Sequence, residues 1–225
     1  MKYTESQINK ISKDLQNKIK GKVLSDPFSR GRYSTDSSLY QITPLGAVLP
    51  KDQNDVLNLM EYSQKNAIPL LARGGGSSQC GQTVSEAIVL DYSMHQNKIL
   101  ELNVEEKYVW VQPGVVLDSL NKFLQPYGLW FPVDVSTSSR ATIGGMTGNN
   151  SCGSRSLYYG NMVNNVLAVE AILDDGSIHT FEDIDKNYLQ VTNDQNRQYE
   201  IIKNFLQIKE ETKNDIDQYW PQTQR

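Results

Sequence analysis

The sequence predicts an α+β chain of two lobes, a small βαβ lobe followed by an antiparallel-sheet lobe with helices. Three observations carry this reading. The apolar runs "GAVL" (46–49), "IPLLA" (68–72) and "AIVLD" (87–91) alternate with a helical pattern, the order of a parallel βαβ unit. From residue 99 the pattern changes to short strands joined by turns, "ILELN", "YVWVQ", "NVLAVEAIL" and "SIHTF", which read as antiparallel pairs. Each half also carries one long glycine-rich, small-residue segment, 69–84 and 132–161.

Composition bounds the partners. The 225 residues include 38% hydrophobic and 21% charged residues, enough apolar material for a buried core. A net charge of −4 excludes a surface that neutralises many nucleic-acid phosphates, while leaving room for one small anionic ligand. The apolar runs are too short to cross a bilayer, and the N-terminal stretch lacks the apolar core of an export signal. Two cysteines, Cys80 and Cys152, make neither a disulfide framework nor a four-cysteine metal site; no metal is expected, and the chain reads as cytoplasmic, touching a membrane only through a partner. Both cysteines stand in the small-residue loops, either as residues that fit a tight turn or as neighbours of a ligand.

In chain order, Ile8, Ile11, Leu15 and Ile19 recur at helical spacing, giving one face for the core or for docking on a partner. Residues 25–44 are polar and turn-rich and read as a long ordered loop, so 1–39 form a helix and lead-in. The first lobe spans 40–98. It contains strand 46–49, then a helix with Asp52 as N-cap and Val56, Leu59, Met60 and Ser63 on one face, then strands 68–72 and 87–91. The second lobe spans 99–181. Its first hairpin turns at Asn103–Lys107, Pro113-Gly114 ends the second strand, and Val116, Leu120, Phe123 and Leu124 share a helical face that stops near Gly128. Asp174-Asp175-Gly176 is a hairpin signal. A helical tail, 182–225, offers Ile201, Ile202, Phe205 and Ile208 on one face.

Three consecutive glycines expose bare backbone, and the usual reason is an anion bound by successive N–H groups. "RGGGSSQCG" fails the Gly-Lys-Ser/Thr ending of a P-loop, and Gln79 stands where a dinucleotide fingerprint needs its third glycine. Two such loops on two lobes suit one long ligand held between them, such as a dinucleotide.

The order of "RGGGSS", "GQ" and "V", then "PGV", "FP", "ATIGGM", "NNSCG" and "YG", resembles the FAD-binding domain of FAD-linked oxidases of the vanillyl-alcohol oxidase or p-cresol methylhydroxylase type. It is most similar to D-lactate, D-2-hydroxyglutarate and glycolate dehydrogenase-like members, and "GNNSCGSRS" looks like those carrying a C-terminal iron–sulfur domain. The resemblance covers about residues 40–181 and implies non-covalently held FAD, since Ser77 stands where tethering relatives have a histidine. It further implies that Arg73, Gly74, Gly75, Gly76, Ser77, Ser78 and Gly81 form the pyrophosphate loop, with Gln82 and Thr83 at its exit. Pro132, Asp134 and Ser138 would approach the flavin, and Ala141, Thr142, Gly144 and Gly145 would form the turn beneath the ribityl and pyrophosphate groups. Gly148, Asn149, Ser151, Cys152 and Gly153 would complete the wall, closed by Tyr159 and Gly160. Arg73 equally suits a loop-anchoring salt bridge, and Asp134 a turn bonding its own backbone.

The implied activity is hydride transfer from a 2-hydroxy acid to flavin, with an iron–sulfur domain or subunit as electron acceptor. The catalytic residues stay unknown: His95 follows a strand in a polar turn, His179 follows the hairpin turn, and both read as surface residues. In the family the substrate groups come largely from a further C-terminal domain, and the tail "WPQTQR" resembles the start of a longer segment, so the chain looks like a fragment. A stand-alone flavin module docking through its last helix on a separate catalytic or electron-transfer subunit is the alternative. A UDP-N-acetylenolpyruvylglucosamine-reductase-like enzyme is a third, against which "NNSCGSRS" speaks.

Overall fold

The computed structural model describes residues 3–185, 188–192 and 196–221. They form two compact units, the first ending at Asn165 and the second beginning at Val166. Helix α1 (Glu5–Gln16) starts at a capping box in which Gln7 N donates to Thr4 Oγ1 (3.3 Å) and Thr4 N to Gln7 Oε1 (2.8 Å), pairing donors that a helix start leaves open. Ile8, Leu15 and, beyond the helix, Ile19 are buried, so the expected face enters the core.

Two elements of the N-terminal part depart from the sequence reading. Strand β1 (Lys22–Leu24) pairs antiparallel with β2 (Gly46–Leu49); three residues are too few for any period to register. Helix α2 (Pro27–Arg32) occupies part of the expected loop. Asp26 accepts from Ser29 N at 3.0 Å and Pro27 sits in the first turn, where its missing N–H costs nothing. Both residues lie in the polar, turn-rich stretch 25–44 that the sequence presents as a loop.

Helix α3 (Gln53–Asn66) begins at Asp52 as expected, and strands β3 (Leu70–Arg73) and β4 (Ile88–Asp91) complete a sheet of order β1-β2-β4-β3. β4 runs parallel to both neighbours. Ala47, Val48, Val89 and Leu59 are fully buried. Buried Asp55 accepts from the N–H groups of Lys20, Gly21 and Lys51 at 2.7–2.8 Å, joining the N-terminal segment to the helix start. At the carboxyl edge, Arg73 of β3 stands in register with Asp91 of β4, and the glycine loop leaves from there.

Strands β5 (Ile99–Asn103) and β6 (Tyr108–Val111) form the expected hairpin. Helix α4 (Leu117–Leu124) packs Leu120 and Leu124, with Val115, against Ile99, Leu102, Val109 and Val111. A single 3₁₀ turn then ends at Gly128, φ +68°. Short helices α5 (Ile143–Gly148), α6 (Ser156–Tyr159) and α7 (Met162–Asn165) punctuate the second small-residue segment.

In the second unit β7 (Ala168–Ile172) and β8 (Ile178–Glu182) pair around a turn with Gly176 at φ +81°. Helices α8 (Tyr188–Val191), α9 (Arg197–Glu211) and α10 (Lys213–Tyr219) follow. Ile202 is buried, whereas Phe205 and Ile208 are exposed, so the expected face of α9 is only partly covered. The stretch 99–181, read as one lobe, is shared between the units, because β5–β6 and β7–β8 are separate two-stranded sheets.

Candidate functional site

The glycine loop is anchored before it is used. As β3 ends, Arg73 Nη1 donates to the carbonyls of Tyr33 (3.3 Å) and Thr83 (3.2 Å), and Nη2 to that of Thr35 (2.8 Å). The guanidinium lies 5.4 Å from the Tyr33 ring centroid. Burial lowers the Arg73 pKa, while Asp91 and Asp36 oppose that shift. Of the two roles open to Arg73, the contacts describe anchoring, through carbonyls rather than a salt bridge.

Beyond Arg73, none of the N–H groups of Gly74, Gly75, Gly76, Ser77, Ser78 and Gln79 donates to an acceptor among the described residues. These residues are half-buried or exposed, so water reaches their donors in the free protein, and an anion is the partner that satisfies several of them at once. Gly76 (φ +64°) and Gly81 (φ +77°) adopt the left-handed conformation, which side chains disfavour. Gly74 and Gly75 have a different reason: a Cβ there would overlap Thr142 Oγ1 and the Arg140 carbonyl oxygen, respectively. Their bareness lets the second loop pack against the first. Ser78 Oγ donates to Gln82 Oε1 and accepts from Cys80 N, whereas the Ser77 hydroxyl makes no described hydrogen bond.

The second loop is held from α4. That helix has no side-chain cap; instead Leu117 N donates to the Ala141 carbonyl (3.0 Å) and Asp118 N to that of Ser138 (3.2 Å). Pro132 precedes the fully buried Val133. Thr142 caps α5 by accepting from Gly145 N (3.3 Å), and Gly144 N donates to the Pro113 carbonyl (2.9 Å). A Cβ on Gly148 would meet nothing within 4 Å outside its own helix backbone. Asn149 reaches back to the first loop, accepting from Gln82 Nε2 at 2.9 Å while its Nδ2 donates to Ser151 Oγ at 3.1 Å.

Asp134 bonds a neighbouring turn: it accepts from Arg155 N (3.0 Å) and Ser154 Oγ (2.7 Å), bonds that hold its carboxyl below the usual range. Gly153 packs against the Asp134 backbone. Cys152 is exposed, as is Cys80. Tyr159 meets Trp130 edge-on at 5.2 Å and Gly160 turns at φ +80°. His95 is exposed, and His179 shares a 3.0 Å hydrogen bond with Ser177 in the second unit. Among the described residues no cluster of His, Cys, Asp or Glu could hold a metal ion. Sequence reasoning missed Tyr33, Thr35, Asp36 and Arg140, whose contacts are long-range and leave no local signature.

A strand end opening onto six unpaired amides, backed by a second glycine-rich segment, has the makings of a domain for a nucleotide carrying a diphosphate. The sequence model of the FAD binding domain matches residues 44–182, and the chain belongs to that family; FAD is its cofactor, and the free amides fit it. The chain is 42% identical over 166 residues to the D-2-hydroxyglutarate dehydrogenase of Haemophilus influenzae, covering 71% of this chain and 16% of that protein. It is 37% identical over 211 residues to the Pseudomonas putida enzyme of the same name, covering 92% and 21%. Identity to the Bacillus subtilis glycolate oxidase subunit GlcD is 31% over 175 residues, covering 75% and 37%. The chain thus spans well under half the length of these relatives. Among solved structures, an alkyldihydroxyacetonephosphate synthase superposes with a TM-score of 0.66 at 21% identity, covering 83% of this chain and 36% of that one. A Physcomitrella patens BBE-like 1 variant gives 0.66 at 20%, covering 76% and 37%. These two share the fold expected from the motifs. No helix among the described residues is long and apolar enough to cross a membrane.

Proposed function

We propose that this chain is the FAD-binding portion of an oxidoreductase acting on a 2-hydroxy acid of the D-lactate, glycolate or D-2-hydroxyglutarate type, and that residues 74–79 hold the diphosphate. The six unpaired N–H groups carry the proposal. Hydrogen bonds to a charged group contribute about 1.5–3 kcal/mol each, so a few of them account for tight binding without a cluster of Lys or Arg. Bound flavin supplies the hydride-accepting ring.

Within this chain, Arg73 fixes the root of the loop and the Ser77 hydroxyl is available to a phosphate oxygen. Gln82 and Asn149 brace the two loops, and Asp134 sets the turn at 153–155. With Ser77 in place of a tethering histidine, the cofactor is held non-covalently. The base for the substrate hydroxyl and the cation for its carboxylate belong to protein outside these residues. Support for the substrate class comes from the relatives' names. Resemblance of "GNNSCGSRS" to iron–sulfur-bearing members supports such a domain or subunit as electron acceptor. Two exposed free cysteines suit a reducing, cytoplasmic compartment.

Exposed Phe205 and Ile208 on α9 favour one second reading, a flavin module docked on a separate catalytic or electron-transfer subunit. The test is anaerobic mixing of the FAD-loaded product of the complete reading frame with each acid while following the flavin band. Bleaching by one of them is expected. No bleaching by any acid, with bleaching by another substrate class, contradicts the proposal.

A further inference from the structure

Residues 33–40 precede the stretch that matches the FAD-binding family, yet they grip the loop at both ends. At its start, the carbonyls of Tyr33 and Thr35 receive Arg73. At its exit, Asp36 Oδ2 accepts from Thr83 Oγ1 at 2.9 Å, and Asp36 Oδ1 is held in turn by Ser38 N at 2.8 Å. The Tyr40 ring covers Gly81 so closely that a Cβ there would overlap it.

We infer that the Asp36–Thr83 pair positions the diphosphate loop, which makes this lead-in segment part of the cofactor site. The inference rests on the reading that residues 74–79 hold the diphosphate. Four of the nine residues from Arg73 to Gly81 are glycine, and glycine loses more conformational freedom on ordering than any other residue. Six amides attract an anion strongly only if they already converge when it arrives; otherwise part of the binding energy is lost to ordering the loop. Arg73 fixes the start and also holds the Thr83 carbonyl at the exit, where the charge-assisted Thr83–Asp36 bond is the second hold. Asp36 is an anion and acts through Thr83, not on the phosphates.

The experiment titrates the apoprotein with FAD and with ADP, which carries the diphosphate without the flavin, in wild type, Thr83→Val, Thr83→Ser, Asp36→Asn and the double variant Asp36→Asn/Thr83→Val. Thr83→Val and Asp36→Asn should each raise Kd about tenfold, by the same factor for FAD and ADP. The double variant should be no worse than the weaker-binding single one, and Thr83→Ser, which keeps the hydroxyl, should bind like wild type. Apoprotein melting, followed in parallel, gives the folded fraction; a weakening that disappears once unfolded protein is subtracted overturns the inference. Unchanged affinities, or a loss for FAD alone, also overturn it. Should ADP fail to compete with FAD in wild type, the diphosphate reading itself falls.

Discussion

Gln82 Nε2 donates to Asn149 Oδ1 at 2.9 Å, joining residues 67 positions apart. Gln82 also receives Ser78 Oγ, and Asn149 donates to Ser151 Oγ. One chain of side-chain amides and hydroxyls therefore runs from the first glycine loop to the C-terminal end of α5. It fixes the spacing of two loops that would otherwise move separately.

Gln82→Ala and Asn149→Ala should each weaken FAD binding by a few fold, since an exposed neutral hydrogen bond contributes about 0.5–1.5 kcal/mol. Their combination should be less than additive, because either change breaks the same bond. Flavin fluorescence titration measures all three. Full additivity would show that the bridge does not couple the loops.

The glycines should divide sharply. Gly75→Val places atoms on the Arg140 carbonyl, so it should destabilise the apoprotein by roughly 1–3 kcal/mol, the usual cost of overpacking, before FAD is added. A Cβ on Gly148 would meet nothing outside the backbone of its own helix, α5; Gly148→Ala should be neutral or stabilise by up to about 1 kcal/mol. Urea unfolding of the apoproteins reads both. A normal apoprotein with Gly75→Val would return that glycine to a role in ligand approach alone.

Much of this was legible because glycine spacing and apolar runs are local. Strands "GAVL" and "AIVLD" are continuous apolar segments, and β2 and β4 lie where these predict. Helix α5 was not legible: "IGGMTG" carries three poor helix formers, and its form comes from the Thr142 cap and the packing of Gly144 on Pro113. The reason for Gly74 and Gly75 was likewise hidden. Sequence pointed to a ligand against the backbone, whereas the neighbours are Thr142 and Arg140, more than sixty positions away.

Alkaline pH should lower the protein's stability in a defined window. Burial pushes the Tyr92 hydroxyl from 10 up to about 12, and burial together with Asp91 pushes Tyr33 up as well. A raised folded-state pKa gives stability that is complete below the unfolded value and is lost as pH climbs through the folded one. For Tyr92 that window runs from pH 10 to about 12 and corresponds to roughly 2–3 kcal/mol. Tyr92→Phe should flatten the fall in stability there. An unchanged slope, measured by denaturant unfolding across the window, would remove Tyr92 from the account.

Acid precipitation should leave a colourless pellet and yellow supernatant, because Ser77 offers no imidazole for a tether. Bound FAD should also slow alkylation of Cys80 and Cys152, exposed thiols of the two loops. Mass spectrometry of the alkylated protein, with and without FAD, reads the second effect. Equal labelling would separate both thiols from the cofactor.

Calorimetric titration of the refolded apoprotein with FAD and FMN tests most directly whether the amides of residues 74–79 hold a diphosphate. FMN carries one phosphate and no adenosine. FAD should bind at least about a hundredfold more tightly, the equivalent of roughly 3 kcal/mol from the additional charged hydrogen bonds. Equal affinities for FAD and FMN would contradict the account.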